Sequence, residues 1–126
     1  MSRVTCNGCF DGLHKGHMFF LGYAAAHSEL VVGINSDDYI RRRKRAKPNF
    51  NENERRKAIL DLAIIKDVIV FDEDDPREFI RKIGPDVHCT GAEYGEKCIE
   101  SEVCRELGIR LVLIPRIGKW ATSKGD

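Results

Sequence analysis

The chain is predicted to adopt an α/β fold, a doubly wound parallel sheet of five strands with helices on both faces. Three observations carry that prediction. Short runs rich in Val, Ile and Leu alternate with longer stretches of helical pattern, the sign of parallel strands joined by crossover helices. A glycine-rich turn follows the first apolar run, where a strand hands over to a helix. The length of 126 residues fits one domain spanning 1–126, since a domain takes about 100–200 residues, and no repeats, linkers or low-complexity tracts interrupt it.

The elements follow in order. A first strand is read near 3–6 and a helix over 16–27. Residues 30–35, Leu-Val-Val-Gly-Ile-Asn, form a buried second strand. Asn51-Glu-Asn-Glu54 is a capping box, and the helix it opens presents Ile59, Leu62 and Ala63 to the sheet. Residues 68–71 are the third strand. Asp75-Pro76-x-Glu78 opens the next helix with proline at its first position, and Gly84-Pro85 stops it after Ile83. A strand at 87–90 comes next. Ile99, Val103 and Leu107 recur every four residues along the following helix, which ends at Gly108, and 110–114 complete the fifth strand.

Charge and cysteine content narrow the function. With 21 Lys and Arg against 20 Asp and Glu, the net charge is +1, so no general basic field attracts nucleic acid and any anion site must be local. No stretch approaches the roughly 18 apolar residues of a membrane span, and the N-terminus lacks a signal-peptide layout. The expectation is a cytoplasmic protein with neither membrane nor nucleic-acid partner. Five cysteines, at 6, 9, 89, 98 and 104, are an odd number that argues against a disulfide framework. Cys6-x-x-Cys9 could be a redox pair, or half a zinc site closed by Cys98 and Cys104. The plainer reading ends a buried strand at Cys6 and lines a loop with Cys9.

Residues 7–17 read Asn-Gly-Cys-Phe-Asp-Gly-Leu-His-Lys-Gly-His. They place His14 and His17 at the strand-to-helix junction, where the helix dipole and unpaired N–H groups attract phosphate. Gly8, Gly12 and Gly16 let backbone approach closely. In open sheets the ligand sits outside the carboxyl ends of the strands where strand order reverses. The loops that matter are then those carrying His14 and His17, following Asn35, following Phe71, containing Gly91 and Glu93, and running on from Arg116.

The pattern Gly8-x-Phe10-Asp11-x-x-His14-x-Gly16-His17 resembles the signature of the cytidylyltransferase-like family of nucleotidyltransferases. The wider run Asn7 to His17 resembles most the adenylyltransferase domain of bifunctional ADP-heptose synthases, and glycerol-3-phosphate cytidylyltransferases are similar but less close. The resemblance continues through Asn35-Ser36-Asp37, the acidic run 72–75 before Pro76, Pro85-Asp86 and Gly91. It implies a Rossmann-like fold and direct displacement at the α-phosphorus of ATP or CTP by a phosphate oxygen of a small phosphorylated sugar or polyol. Mg²⁺ carried mainly by the nucleotide phosphates, and a homodimer, are implied too. No covalent nucleophile is needed, in keeping with the lack of a Ser–His–Asp or Cys–His constellation.

Site roles follow the resemblance. His14, His17, Lys44 and Arg116 are the catalytic candidates. Gly8, Cys9, Phe10, Asp11, Arg56, Gly91, Glu93, Thr122 and Ser123 join His14, His17 and Arg116 around the nucleotide. Asp11, Asp37 and Arg41 face the acceptor, although Asp37 reads equally well as a helix cap. Arg41 and Lys44 lie in a run with six cations in seven residues, 41–47, of which only one or two need reach a polyphosphate. Two departures stand out. Gly91-Ala92-Glu93 replaces the family's Gly-x-Asp, and after Arg116 only Thr122 and the hydroxyl of Ser123 are kept; with three residues following Ser123, the closing helix of the family is expected to be absent or truncated. His27 and His88 are given no catalytic role.

Three readings result. A sugar 1-phosphate adenylyltransferase comes first, with a CTP-using glycerol-3-phosphate enzyme beside it. A nucleotide-binding module without turnover is the reading from another class. A redox or zinc protein using Cys6 and Cys9 is the third.

Overall fold

The computed structural model describes residues 2–92 and 98–115. In chain order the elements are β1 (Arg3–Gly8), α1 (Lys15–Ala25), β2 (Glu29–Asn35), α2 (Asp37–Lys44), α3 (Glu52–Leu60), β3 (Ile65–Phe71), α4 (Arg77–Ile83), β4 (Val87–Gly91), α5 (Ile99–Leu107) and β5 (Arg110–Ile114). The strands form one parallel sheet in the order β3-β2-β1-β4-β5. Strand order therefore reverses between β1 and β4. No helix among the described residues is long and apolar enough to cross a membrane.

Period-two alternation splits the core between the two faces of the sheet. Val4, Cys6, Val32, Ile34, Val68 and Cys89 pack with Leu21 and Ala24 of α1 and Ile59 of α3. On the other face Val31 and Phe71 meet Phe79 and Ile80 of α4 and Val103 and Cys104 of α5. Gly33 is where α4 comes closest, because a Cβ there would sit 2.7 Å from the Phe79 ring. Any larger residue would push the helix off the sheet.

Every expected strand is present, and the helices differ in instructive ways. Residues Asp37–Lys44 are helical, which the cationic run had not suggested; Ser36 caps them, two aspartates fill the first turn and four cations the last, matching the helix dipole. The helix α3 stops at Leu60, so Leu62 packs from the turn beyond it and Ala63 is exposed. Pro76 stands at the N-cap of α4 rather than at its first helical position. The buried face of α5 is Glu100, Val103 and Cys104, while Ile99 and Leu107 are exposed. The expected four-residue row crosses that face only at Val103, because Glu100 and Cys104 shift its centre by one position.

Glu100 is buried because it answers a second buried ionisable group. His88 of β4 is fully buried, with Nδ1 2.7 Å from the hydroxyl of its register partner Thr5 and Nε2 3.8 Å from Glu100 Oε2. Burial raises the pKa of the Glu100 carboxyl, but bonding and charge from His88 and a bond from Thr90 outweigh it and hold the group below its ordinary value. A depressed folded value means that the stabilisation is present above the unfolded value of about 4.3 and is lost as pH falls through the folded one. Glu100→Gln is expected to be less stable than the parent near neutrality and to lose less on acidification. Urea midpoints at pH about 7 and about 4 check this, and parallel losses in the two proteins would remove Glu100 as a source of acid sensitivity.

β3 lies at the edge of the sheet. The N–H of Val68 donates to Asp67 Oδ1 at 2.8 Å, and its carbonyl accepts from Arg56 Nε at 2.9 Å. The two side chains are themselves 3.4 Å apart as an ion pair. Both main-chain groups of Val68 are thereby occupied by side chains, as edge strands require if they are not to pair with another chain.

Candidate active site at the carboxyl end of the sheet

β1 ends at Gly8, whose absent Cβ would lie 3.0 Å from the Phe10 ring, so the loop folds tightly back on itself. Phe10 is buried with a positive φ of 49° and sets its ring edge against His17, centroids 5.1 Å apart. His14 is the N-cap of α1. Its Nδ1 accepts the N–H of His17 at 3.2 Å, while Nδ1 of His17 accepts the N–H of His14 at 3.3 Å. This is a capping box built from two imidazoles, stacked at 3.7 Å and 16°. The chemistry follows from the cap. A nitrogen that accepts a backbone N–H carries no proton, so each neutral ring holds its proton on Nε2, on the far side from the cap. The first turn of α1 contains no carboxylate of its own, and the positive end of a helix dipole favours an anion.

A buried arginine organises the neighbouring loops. Arg55 of α3 is 1% exposed. Its Nη1 donates to the carbonyls of Cys9 at 3.0 Å and Asn35 at 2.7 Å, its Nε to the carbonyl of Phe50 at 3.0 Å, and its Nη2 to Asp37 Oδ1 at 2.8 Å. One guanidinium thus ties the ends of β1 and β2 to the start of α2 and the loop before α3. Asp11 makes a second tie, accepting the N–H groups of Asn49 at 2.7 Å and Phe50 at 2.8 Å. Both charges stay satisfied inside the fold.

α2 carries the cationic run and is latched to the loop after β3. Ser36 accepts the N–H of Tyr39 and donates to Asp72, whose carboxyl is held below the usual range by bonds from Ser36 and Arg42. Arg42 also reaches Asp74 at 3.0 Å, and Arg43 is 3.9 Å from the same residue. Arg41 pairs with Asp38 on the exposed side of its own helix. Lys44 faces the Cys9 thiol. Burial pushes that thiol up, with Lys44 and Arg55 drawing it part of the way back, and its Sγ donates to Asn35 Oδ1 at 3.4 Å.

The structure therefore gathers Gly8, Cys9, Phe10, Asp11, His14, His17, Asp37 and Lys44 at one end of the sheet. Asp37 sits just after the cap, with its carboxylate held by Arg55 and its N–H donated to Glu52 Oε1 at 2.9 Å. Gly91 closes β4 and is buried. Arg56 is not brought to this group. It lies along β3 instead, because adjacent helix positions point in different directions and Arg55 takes the inward one. Glu93, Arg116, Thr122 and Ser123 lie outside the described residues. Arg55 itself was missed by the sequence, although it stands four residues before the buried Ile59 and so on the same helix face.

Cys6, Cys89 and Cys104 serve packing. Cys6 is fully buried in the core, and burial raises its thiol well above the ordinary value; burial likewise pushes Cys89 to about 12 and Cys104 to about 11. Thiols so raised are poor nucleophiles and poor metal ligands. Among the described residues no group of three or more His, Cys, Asp or Glu is placed to hold a metal ion. The carboxylates nearest the histidine loop, Asp11 and Asp37, are already engaged. A groove of about 520 Å³ between β3 and α4, lined by Phe71, Asp72, Glu73, Phe79 and Lys82, contains none of the histidine-loop residues.

A helix N-terminus dressed with two imidazoles at the reversal point of a parallel sheet stands where open, Rossmann-like α/β folds bind their ligands. The chain belongs to the cytidylyltransferase-like family, whose pattern matches residues 5–118. It is 40% identical over 112 residues to the bifunctional protein HldE of Campylobacter concisus, covering 86% of this chain and 23% of that protein. Against the protein of the same name from Citrifermentans bemidjiense it is 40% identical over 124 residues, covering 96% and 26%. The chain thus spans about a quarter of the length of these curated relatives. A lipopolysaccharide core biosynthesis protein from Thermoplasma volcanium superposes with a TM-score of 0.74 at 30% identity, covering 94% of this chain and 98% of that one. Pantothenate synthetase from Thermus thermophilus, at TM-score 0.66 and 13% identity over 98% of this chain and 60% of its own, shares the fold.

Proposed function

We propose that this domain is a sugar 1-phosphate adenylyltransferase: it moves the adenylyl group of MgATP to a phosphorylated sugar and releases pyrophosphate. The reciprocal cap of His14 and His17 is the observation that carries the reading, because it fixes two Nε2–H donors beside the helix N-terminus. The likeness to HldE proteins and to a lipopolysaccharide core biosynthesis protein supports a sugar as the acceptor.

In the proposed reaction a phosphate oxygen of the acceptor attacks the α-phosphorus. The bond from that phosphorus to the α–β bridging oxygen breaks, and its electron pair leaves with pyrophosphate. The histidine Nε2–H groups donate to the phosphate oxygens where negative charge grows. The N-terminus of α1 adds its dipole, and Lys44, at the end of its latched helix, supplies a mobile positive charge. Arg55 and Asp11 keep the loops in register so that the reacting groups meet already aligned. Magnesium, bound to the nucleotide, neutralises the polyphosphate.

The test is pyrophosphate release from ATP and from CTP across a panel of sugar 1-phosphates and glycerol 3-phosphate, with calorimetric titration of each nucleotide. Release from ATP with a sugar 1-phosphate is expected. Release from CTP with glycerol 3-phosphate would replace this reading by a polyol cytidylyltransferase. Nucleotide binding with no release from any pair would leave a binding module.

A further inference from the structure

Phe50 is an aromatic side chain held in an unusual way. It is 46% exposed, and a single exposed apolar residue needs no explanation by itself. Its main chain, however, is fixed at both ends. The N–H donates to Asp11 Oδ1 at 2.8 Å, and the carbonyl accepts from Arg55 Nε at 3.0 Å. The preceding residue is held as well, since Asn49 donates its N–H to the other oxygen of Asp11. The ring lies over Gly12, where its Cε2 would stand 3.5 Å from an added Cβ. Gly12 is two residues before His14. An exposed aromatic is thereby anchored at the rim of the histidine loop by the same two charged residues that organise that loop.

Through Arg55, which also holds the carbonyls of Cys9 and Asn35 and the carboxylate of Asp37, the main chain of Phe50 is tied to the ends of β1 and β2. Binding sites place aromatic faces where a ligand has an apolar face to offer. A cyclic sugar offers one in its axial C–H groups, while its hydroxyls and phosphate turn to polar partners. Glycerol phosphate has no such face. We propose that Phe50 determines acceptor specificity, its anchored ring stacking on the C–H face of a cyclic sugar phosphate. The inference rests on the sugar-acceptor reading above and adds the residue that selects for a ring.

Two experiments test it. In turnover, Phe50→Ala should cut the ratio of kcat/KM for sugar 1-phosphate over glycerol 3-phosphate by about tenfold, the scale of a lost aromatic contact, with Phe50→Tyr keeping it. The KM of the sugar phosphate should carry the loss, and the calorimetric affinity for ATP should change less than about twofold. An unchanged ratio overturns the proposal. The second experiment needs no turnover. Trp120 is the chain's single tryptophan, so Phe50→Trp in a Trp120→Phe background places the only indole on the rim. A saturable emission change with sugar 1-phosphate, absent with glycerol 3-phosphate, is expected with a non-hydrolysable ATP analogue present. No change with any sugar phosphate overturns the proposal. If the parent releases no pyrophosphate, the adenylyltransferase reading falls, and the emission titration decides Phe50 alone.

Discussion

Replacing Arg55 with methionine is expected to lower the stability of the domain by about 3–5 kcal/mol, the cost of removing one partner from a buried ion pair. A domain of this size is stabilised by roughly 5–15 kcal/mol, so much of the margin would go. The cause is local and specific. Methionine fills a similar volume but strands the carbonyls of Cys9, Asn35 and Phe50, and leaves Asp37 as an uncompensated, mostly buried carboxylate. Lysine should rescue little, because a single ammonium cannot reach four acceptors that the planar guanidinium serves from three nitrogens. Chemical denaturation of the three proteins reads the effect, and calorimetry with ATP reads its consequence for the loops. A Met variant within about 1 kcal/mol of the parent would mean that water replaces the guanidinium and that Arg55 does not hold the site together.

The second large effect concerns rate. His17→Ala should lower kcat by roughly 10²–10³, the worth of one donor aimed at developing charge. It also removes one half of the cap, at a cost of about 1 kcal/mol, too little to unfold the domain. His14→Asn separates the two roles. Its amide oxygen can still accept the N–H of residue 17, while the ring donor is gone, so the cap should persist and turnover should fall. A His17→Ala enzyme with near-parental kcat would end the assignment of the imidazoles to the transition state. A loss of rate matched by loss of folded protein would make them capping residues and nothing more. Thermal melts beside the rate assays keep those outcomes apart.

How much of this could be read in the chain depends on whether the cause was local. The strands were legible because parallel strands buried on both faces are apolar throughout, as in 30–35. The histidine motif was legible because cap, glycines and helix start are neighbours in sequence. Helix α2 was obscured by its charge: five consecutive cations, Arg41 to Arg45, look like a solvated face until Ser36, Asp37 and Asp38 are seen to supply the opposite end of the dipole. Arg55 and Arg56 differ by one step, and only the converging carbonyls of Cys9 and Asn35 decide which is buried. His88 looked inert on its strand because its partner, Glu100, comes twelve residues later on another element. Long-range polar pairing leaves no periodic trace.

The ion pair of Arg56 and Asp67 on β3 bears on how the molecule meets its own copies. A parallel sheet is open-ended by construction, and each free flank invites another strand from whatever chain comes near. Here the third strand carries its own stopper, two side chains doing at Val68 what a sixth strand would do. On that flank the width of the sheet is settled within one chain, so crowding the protein should press copies together through side chains and helices before it lets them share a backbone.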